Sequence, residues 1–415
     1  MDKLFQKYLS RHSVSFPFEK DDSKKDIRVV IPVYLEEESI DLLLDSIHVA
    51  AKKCQMQIEL IMVVNYSSDC SSDVKLRQQK LFDYLIGQSQ EYTHFSISVI
   101  QAYDLIAKHA GVGWARKIGM DYAVSKYADE DNPGGIILSL DADCVVSSNY
   151  FTEVWKKFEE EILNGCTICF EHQSEGLNDS QKEAIFQYEL HLRYYLQALR
   201  WTGHPHAFHT VGSSFAITAE AYVRAGGIPR KQAGEDFYFL QKVISLGSFS
   251  ELNTTCVYPS SRISDRVPFG TGPTIAKLIN DSDDYKTYNL QAFIDLKDLF
   301  IMRDKFYKIE QEAYLDLLSE LSGRIRSYLL NSDFYADLTN VNNNCSSLNT
   351  FNKRFFEVFD AFRVVKYLNY VHEHFLEKTA VFDVSLDLLE LLERDADDLM
   401  DTNDVLDYFR KWEKQ

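Results

Sequence analysis

The chain lacks a long hydrophobic run, since none of its apolar stretches approaches the roughly 18 consecutive residues of a membrane-spanning helix. The first residues, Met1–Lys7, also lack the apolar segment of a secretory signal peptide. Cysteine is scarce, with seven residues scattered along 415, and an odd number of scattered cysteines is typical of reduced thiols. We therefore expect a cytoplasmic protein without a transmembrane segment, for which peripheral contact with a membrane stays open.

Cys166 and Cys169 form the only closely spaced cysteine pair in the sequence. They lie in a strand-like run with no second pair nearby, whereas zinc and redox motifs need further ligands or a defined context. The pattern favours buried, apolar cysteines over a zinc or redox site.

Basic residues are fewer than acidic ones: the chain has 44 Lys and Arg and 63 Asp and Glu, which gives a net charge of −19. Such an acidic surface opposes binding to nucleic acid, so we expect no nucleic-acid partner. It does not exclude a local basic pocket. The hydrophobic content of 45% suffices for a sizeable core, and the length suggests two domains.

Strand and helix signals alternate over about the first 260 residues, which predicts a mostly parallel sheet with helices on both faces. The predicted strands are Ile27–Val33, Ile58–Val64, Phe95–Ile100, Gly135–Leu140 and Phe215–Ile217. The predicted helices are Ser39–Lys53, Ser72–Ile86, Gly113–Lys126, Glu220–Ala225 and Glu235–Leu246.

Two further helices are predicted from their caps. Asn149 is expected to cap a helix that ends at Asn164-Gly165, and Ser180-x-x-Glu183 predicts a capping box for a helix to about Arg200. After residues 280–284 the strand signals fade and helical periods dominate. We therefore predict an N-terminal extension (1–26), a sheet domain (27–278) and a mainly helical C-terminal domain (279–415).

Asp141-Ala142-Asp143 follows a short apolar run that is typical of a buried parallel strand. Open α/β sheets bind ligands outside the carboxyl ends of their strands. Two aspartates there suit a hard divalent cation such as Mg²⁺ or Mn²⁺. A single D-x-D is weak by itself, because aspartate pairs are common in turns and caps.

Other polar segments accompany the aspartates. The first strand ends at Pro32-Val33-Tyr34, and Glu36-Glu37-Glu38 follows directly. The remaining segments are Gly111-x-Gly113-x-Ala115-Arg116-Lys117-x-Gly119, Gly234-Glu235-Asp236 and a basic, Gly-rich loop from Ser260 to Gly272 that contains Arg262 and Arg266.

The order of these motifs resembles the family 2 glycosyltransferases of the GT-A fold, over about the first 270 residues. The resemblance implies a Rossmann-like α/β domain that transfers a hexosyl group from a nucleotide-diphosphate sugar, with inversion at the anomeric carbon. The implied partners are a UDP- or GDP-sugar donor and a saccharide or other hydroxyl acceptor. The implied cofactor is a divalent cation, Mn²⁺ or Mg²⁺.

The resemblance also implies a role for individual residues. In the family, the positions of Pro32 and Tyr34 flank the nucleotide base, and the acid that recognises uracil is replaced here by Asn65. The resemblance implies that Arg116 lies near the nucleotide, that Asp141 binds the ribose and the metal, and that Asp143 binds the metal. It also implies that Asp236 is the general base that activates the acceptor and that Glu235 positions the acceptor. Leu35, Lys117 and Asn65 depart from the usual family residues, and Asn65 leaves the nucleotide base open.

The chemistry of the residues agrees with this interpretation. The leaving diphosphate needs its growing charge neutralised by a metal at Asp141 and Asp143. Arg262 and Arg266 could add bidentate contacts to the same oxygens. We also place Glu36 among the residues that bind the nucleotide sugar. The attacking hydroxyl needs a carboxylate within hydrogen-bond reach, a role that suits Asp236.

Simpler interpretations stay open for several of these residues. Glu235 and Asp236 could only complement a helix dipole, and the two arginines could be ordinary surface charges. His204, His206 and His209 could include a metal or acceptor contact, or they could be polar loop residues without such a role. His372 and His374 are predicted to lie at the surface.

Two other functions compete with transfer. A nucleotidyltransferase would need a Gly-rich basic turn after the first strand, which Pro32-Val33-Tyr34-Leu35-Glu36 does not provide. A non-catalytic scaffold that binds sugar nucleotides and recruits a partner through its acidic helical domain remains the alternative.

Overall fold

The structure is a computed structural model and describes residues 3–12, 23–89, 91–108, 110–229, 234–262, 271–281 and 284–415. The chain divides into two units. The first unit comprises Met1–Glu175, Thr210–Thr274 and Lys414, and the second comprises Gly176–His209, Ile275–Glu413 and Gln415. The domain limits 1–26, 27–278 and 279–415 remain a prediction.

Regular elements account for most of the described residues. The strands are β1 (Ile27–Val33), β2 (Ile58–Ser67), β3 (Ser96–Leu105), β4 (Ile136–Ser139), β5 (Val145–Val146), β6 (Gly165–Phe170), β7 (Phe215–Thr218), β8 (Phe249–Tyr258), β9 (Lys286–Thr287) and β10 (Thr379–Ala380). The helices are α1 (Lys3–Leu9), α2 (Ile40–Ala51), α3 (Ser72–Gln88), α4 (Val112–Asp129), α5 (Tyr150–Glu160), α6 (Asp179–Trp201), α7 (Ala219–Arg224), α8 (Glu235–Ser245), α9 (Thr271–Asp281), α10 (Leu290–Ile301), α11 (Gln311–Ser319), α12 (Gly323–Leu330), α13 (Phe334–Asn343), α14 (Leu348–Val358), α15 (Ala361–His374), α16 (Val381–Leu391) and α17 (Thr402–Glu413). A short 3₁₀ turn covers Arg303–Phe306.

The first unit contains an eight-stranded sheet in the order β3-β2-β1-β4-β7-β6-β8-β5. Strands β3, β2, β1 and β4 run parallel to one another, and β6 is parallel to β8. Strand β7 is antiparallel to both β4 and β6, and β5 is antiparallel to β8. Strand β1 is buried along its whole length and mostly apolar, because helices cover both of its sides. Its one charged residue, Arg28, pairs with Glu59 of β2.

Helices cover both faces of this sheet. On one face, Val29 and Ile31 of β1 belong to a buried apolar cluster with residues of α2, α3 and α5. On the other face, α4 lies so close that a Cβ at Gly119 would meet Val30 at 2.5 Å and Val63 at 3.1 Å. Successive strand residues point to opposite faces, so both layers follow from the sequence of β1. The predicted α/β class, with a mostly parallel sheet between helices and a helical C-terminal region, is confirmed.

Three local predictions are wrong in their details. Helix α5 ends at Glu160, and the exposed Ile162 lies outside it. Gly165 starts β6 and pairs with Ile217 of β7 instead of ending the helix. Glycine is required there because a Cβ would lie 2.8 Å from the Ala216 carbonyl oxygen. The side chain of Asn149 does not cap α5 but donates to the Thr254 carbonyl at 3.0 Å.

Helix α6 begins earlier than the predicted capping box at Ser180. Its N-cap is Asn178, whose side chain accepts from the Gln181 amide at 2.9 Å. The Gln181 side chain in turn accepts from the Asn178 amide at 3.1 Å. Asn is among the strongest N-cap residues, so the reciprocal pair lies two residues upstream of the predicted one.

The second unit is mainly helical, with a short antiparallel pair of β9 and β10. Its core is a large apolar cluster rich in phenylalanine, contributed by α6 and by helices from α10 onward. Buried charges also join α6 to α17: Glu189 is fully buried and accepts from both Arg193 and Arg410. Arg193 also pairs with Glu413. No helix in the described residues is long and apolar enough to cross a membrane.

Candidate active site

The candidate site lies in the first unit, at the carboxyl ends of β1, β2 and β4. These strands are neighbours and parallel, so the segments that follow them meet at one edge of the sheet. The segments after β1 and β4 carry Glu36 and Asp141-Ala142-Asp143. The sequence-predicted residues divide into an Arg116 group, an Arg262 group and a base-side group.

The Arg116 group brings together three motifs that are distant in sequence. Arg116 extends from the first turns of α4 and is only 2% exposed. Its Nη2 atom donates to Asp141 Oδ1 at 2.6 Å, and its Nη1 atom donates to Glu235. Burial alone would lower the pKa of Arg116, but Asp141, Glu235 and Asp236 raise it above its ordinary value. A permanently charged guanidinium is therefore held between the carboxylates.

Glu235 and Asp236 occupy the first turn of α8. The preceding Gly234 adopts a left-handed conformation with φ of 71°, which favours glycine. Asp236 accepts from the Phe237 amide at 2.7 Å. Burial raises the pKa of both carboxyl groups above their ordinary values, and the charge of Arg116 opposes that rise. Glu235 is almost fully buried, whereas Asp236 is partly exposed.

The Arg262 group lies beside the second aspartate. The Arg262 Nη2 atom contacts Asp143 Oδ2 at 3.0 Å and also donates to Glu36. Its Nη1 atom donates to the Ser39 hydroxyl at 3.2 Å. The Gln173 amide supports this segment by donating to the Asp143 carbonyl at 3.4 Å.

Asp141 and Asp143 fit the donor set that a hard divalent cation requires. Their side chains are 37% and 22% exposed, so neither is closed off from the crevice. Burial raises the pKa of Asp143 to about 7, and repulsion from Asp141 adds to the rise, although Arg262 opposes it. A divalent cation between them would relieve that repulsion.

The base-side group lies at the ends of β1 and β2. Pro32 is buried and pairs with Val63, Tyr34 is half-buried after β1, and Asn65 is buried in β2. The fully buried Gln78 of α3 joins the two strand ends. Its side-chain amide donates to the Val33 and Asn65 carbonyls and accepts from the Leu35 amide, at 3.0, 2.8 and 3.0 Å in the same order.

Leu35, one of the departures from the family pattern, has a left-handed backbone with φ of 55°. Such a conformation is costly for a residue with a side chain and persists only where its surroundings hold it. The Gln78 bond to the Leu35 amide supplies one such restraint. The turn after β1 is therefore fixed next to the predicted base contacts.

Sequence reasoning missed Gly212, Ser139 and Gln78. A Cβ at Gly212 would lie 2.8 Å from Asp236 Oδ2 and 3.2 Å from Arg116 Nη2. Ser139 at the end of β4 donates to the Gly212 carbonyl at 2.6 Å and so holds this backbone in place. The only signal in the sequence was the small-residue run Gly212-Ser213-Ser214, which is common in loops.

The predicted residue Arg266 falls outside the described residues. The histidines that the sequence analysis singled out all lie in the second unit. His204 is buried against the Phe359 carbonyl at 3.0 Å, and His209 pairs with Glu413 at 3.2 Å. The surface prediction is wrong for His372, which is half-buried and accepts from the Asn289 amide at 2.8 Å, whereas His374 is exposed.

Comparison with known proteins gives the family of the sheet region. The sequence profile described as Glycosyl transferase family 2 matches residues 28–222. The resemblance found in the motifs is therefore confirmed over residues 28–222. The matched region includes Arg116, Asp141 and Asp143, and it ends before Glu235.

Solved structures with a similar chain course include S. aureus TarS 1–349 in complex with UDP-GlcNAc, at 13% identity and a TM-score of 0.40. The match covers 81% of this chain and 91% of TarS 1–349. Glucosyl-3-phosphoglycerate synthase from Mycobacterium tuberculosis, with Mn²⁺, UDP and phosphoglyceric acid, matches at 13% identity over 55% of this chain and 68% of its own, with a TM-score of 0.33. Both TM-scores are below 0.5, so the assignment depends on the family profile. No curated protein matches the chain.

Proposed function

We propose that the protein is a glycosyltransferase of the hexosyl type, which moves a sugar from a UDP- or GDP-sugar to a hydroxyl acceptor. The family profile supports the transferase class. The observation that carries the proposal is the contact of Arg116 with both Asp141 and Glu235. That contact unites the donor-side motif with the motif expected to activate the acceptor.

The donor side would depend on Asp141 and Asp143, which we propose to hold Mn²⁺ or Mg²⁺. The bound ion would neutralise charge that develops on the leaving diphosphate. Arg262, which pairs with Glu36 and Asp143, would donate to diphosphate oxygens beside the ion. Arg266 stays a predicted second contact, in the part of the loop that the structure does not describe.

The acceptor side would depend on Asp236. Glu235 is buried and pairs with Arg116, so we assign it the positioning of that guanidinium in place of the predicted positioning of the acceptor. We assign the role of general base to the more accessible Asp236. Asp236 would take the proton as the hydroxyl oxygen bonds to the anomeric carbon. The bond from that carbon to the diphosphate oxygen breaks, and its electron pair leaves with the nucleotide. A single displacement of this kind inverts the anomeric centre.

The nucleotide base would bind between Pro32 and Tyr34, beside Asn65. An Asn side chain offers both a donor and an acceptor, whereas the Asp usual at this position only accepts. Asn65 therefore suits either uracil or guanine. We propose a cytoplasmic location from the sequence alone.

Donor binding can be tested by titration calorimetry of UDP and GDP, with Mn²⁺ or with a chelator. We expect binding that needs the ion and is lost in Asp143→Asn. Asp73→Asn, in the first turn of α3, is a matched control for removal of one aspartate charge. Equal affinity with chelator, or unchanged ion dependence in Asp143→Asn, would contradict the proposed metal role.

Turnover separates an enzyme from a sugar-nucleotide-binding scaffold. We expect the wild type to hydrolyse or transfer from its donor, and Asp236→Asn to bind donor normally while turning over about 10²–10⁴ times more slowly. Because burial raises the pKa of Asp236, the rate should fall on acidification at a pH above the usual range of an aspartate. Donor binding with no turnover in the wild type would favour the scaffold, and full activity in Asp236→Asn would remove this residue from the mechanism.

A further inference from the structure

Cys169 and Cys256 lie side by side in the first unit and are not among the residues used above. They are register partners on the parallel strands β6 and β8, and both are buried. Their sulfur atoms are 3.6 Å apart. The pair joins residues 87 positions apart in sequence, so neither cysteine could be matched with the other from spacing. The closely spaced Cys166 is not the partner of Cys169.

Glu171 completes a cluster with these two thiols. It follows Cys169 by two residues, and side chains two residues apart in an extended chain point to the same face of the sheet. The Glu171 amide donates to the Val257 carbonyl at 3.0 Å, so the backbone of β8 fixes its position. One carboxylate oxygen and the two sulfur atoms all lie within 4.8 Å of one another.

The spacing of the sulfur atoms suits a tetrahedral metal ion. Two thiolates bound to zinc at about 2.3 Å with a tetrahedral angle are separated by about 3.8 Å. The observed 3.6 Å is close to that value. A disulfide needs about 2.05 Å, so its formation would require the sulfur atoms to approach substantially. The two sulfur atoms could therefore bind one ion with little movement.

A cation already sits at the edge of this cluster. The ammonium group of Lys414 pairs with Glu171. The lysine is 42% exposed and Glu171 is 20% exposed, so the ammonium can be displaced without opening the core. A positive charge is therefore favoured where the carboxylate and the sulfur atoms converge.

We propose that Cys169, Cys256 and Glu171 bind a thiophilic divalent ion, Zn²⁺, with water as the fourth ligand. Each thiol would lose its proton when its sulfur binds the ion. The site is separate from Asp141 and Asp143, whose oxygen donors suit harder ions.

The site would act as a clamp on an irregular part of the sheet. The β6–β8 register shifts between Ile168 and Cys169, so the ladder is interrupted where the thiols lie. Cys256 also holds the segment after β5, because its carbonyl accepts from the Ser147 amide and its amide donates to the Ser147 hydroxyl. An ion here would tie β6 to the strand that supports the segment after Asp143.

Cobalt is the probe that tests this site in the full-length protein. Co²⁺ bound to thiolates gives a sulfur-to-metal charge-transfer band that a carboxylate site does not give. We expect this band in the wild type, its displacement by one equivalent of Zn²⁺, and its loss in Cys169→Ser and Cys256→Ser. Cys166→Ser, three residues away on β6, is the matched control and should keep the band. A wild type without the band, or a band unchanged in both variants, would overturn the proposal.

Two variants at partly exposed positions keep the test independent of folding. Glu171→Gln should weaken Zn²⁺ binding by at least about tenfold, because one ligand is lost. Lys414→Met should strengthen it, because the competing ammonium is removed. Unchanged affinity in Glu171→Gln, or a Cys169–Cys256 disulfide in protein isolated under reducing conditions, would contradict the assignment.

Discussion

The backbone at Gly212 limits the space around Asp236. A Cβ at this position would approach the Asp236 carboxylate to 2.8 Å and the Arg116 guanidinium to 3.2 Å. The Gly212 carbonyl is held by Ser139, so the backbone cannot easily retreat. The side chains would have to move instead, and a small displacement of a reacting group can cost about 10²-fold in rate.

We therefore expect Gly212→Ala to fold but to transfer roughly 10- to 100-fold more slowly than the wild type. Gly87→Ala is the matched control, since a Cβ at Gly87 in α3 meets nothing within 4 Å and alanine favours a helix. Steady-state rates with both variants at saturating donor provide the measurement. A wild-type rate in Gly212→Ala would mean that Asp236 tolerates the shift or does not take part.

Helix α1 is fixed to the sheet unit by a buried polar cluster. Tyr8 of α1 and Tyr222 of α7 each donate to Asp121 at 2.7 Å, and Lys117 donates to Asp121 at 2.7 Å and to Tyr8 at 3.2 Å. Gly227, with φ of 73°, leaves room for the Tyr8 hydroxyl, which would lie 2.1 Å from a Cβ. The departure of Lys117 from the family pattern therefore has a structural reason, the attachment of α1.

Lys117→Met should lower the free energy of unfolding by about 3–5 kcal/mol, because it leaves the Asp121 charge buried without its cation. Tyr8→Phe should cost about 1.5–3 kcal/mol, since it removes the buried hydrogen bond to the charged Asp121 and the one that the hydroxyl accepts from Lys117. Tyr84→Phe, which loses an exposed bond to Asp41, should cost less than either. Urea denaturation measures all three. Equal values for the three variants would refute an anchoring role for this cluster.

Two histidines, the buried His204 and the half-buried His191, make the stability of the second unit depend on pH. Burial lowers the pKa of His191 and of His204 to about 4, from 6.5. Their protons are therefore bound by the unfolded chain at a higher pH than by the folded chain. The stability that these groups contribute is present above about pH 6.5 and is lost as the pH falls toward 4.

Each of these histidines should reduce the free energy of unfolding by up to about 1.4 kcal/mol per pH unit in that window. His204→Gln should flatten the dependence, whereas His374→Gln, at an exposed position, should leave it unchanged. Denaturant titrations at intervals from pH 7 to 4 measure the slope. A slope in His204→Gln equal to that of the wild type would exclude His204 as a source.

Local patterns in the sequence determined the sheet and part of the site. The Val- and Ile-rich run Ile27–Val33 forms β1 with the predicted bounds, because such residues suit a strand buried on both sides. Asp141 and Asp143 follow β4 as predicted, since a carboxyl end of a parallel strand is a local feature. The order of the motifs predicted the family that the profile identifies over residues 28–222.

Only the tertiary structure decided which distant residues meet. Arg116 and Glu235 are 119 positions apart, and Cys169 and Cys256 are 87 apart, yet each pair is in contact. The sequence also did not indicate that α6 is part of the same unit as the later helices. Nor did it indicate that Lys117 donates to Tyr8 and so helps to hold α1. Such contacts depend on the packing of whole elements, which short-range periodicity and capping signals do not encode.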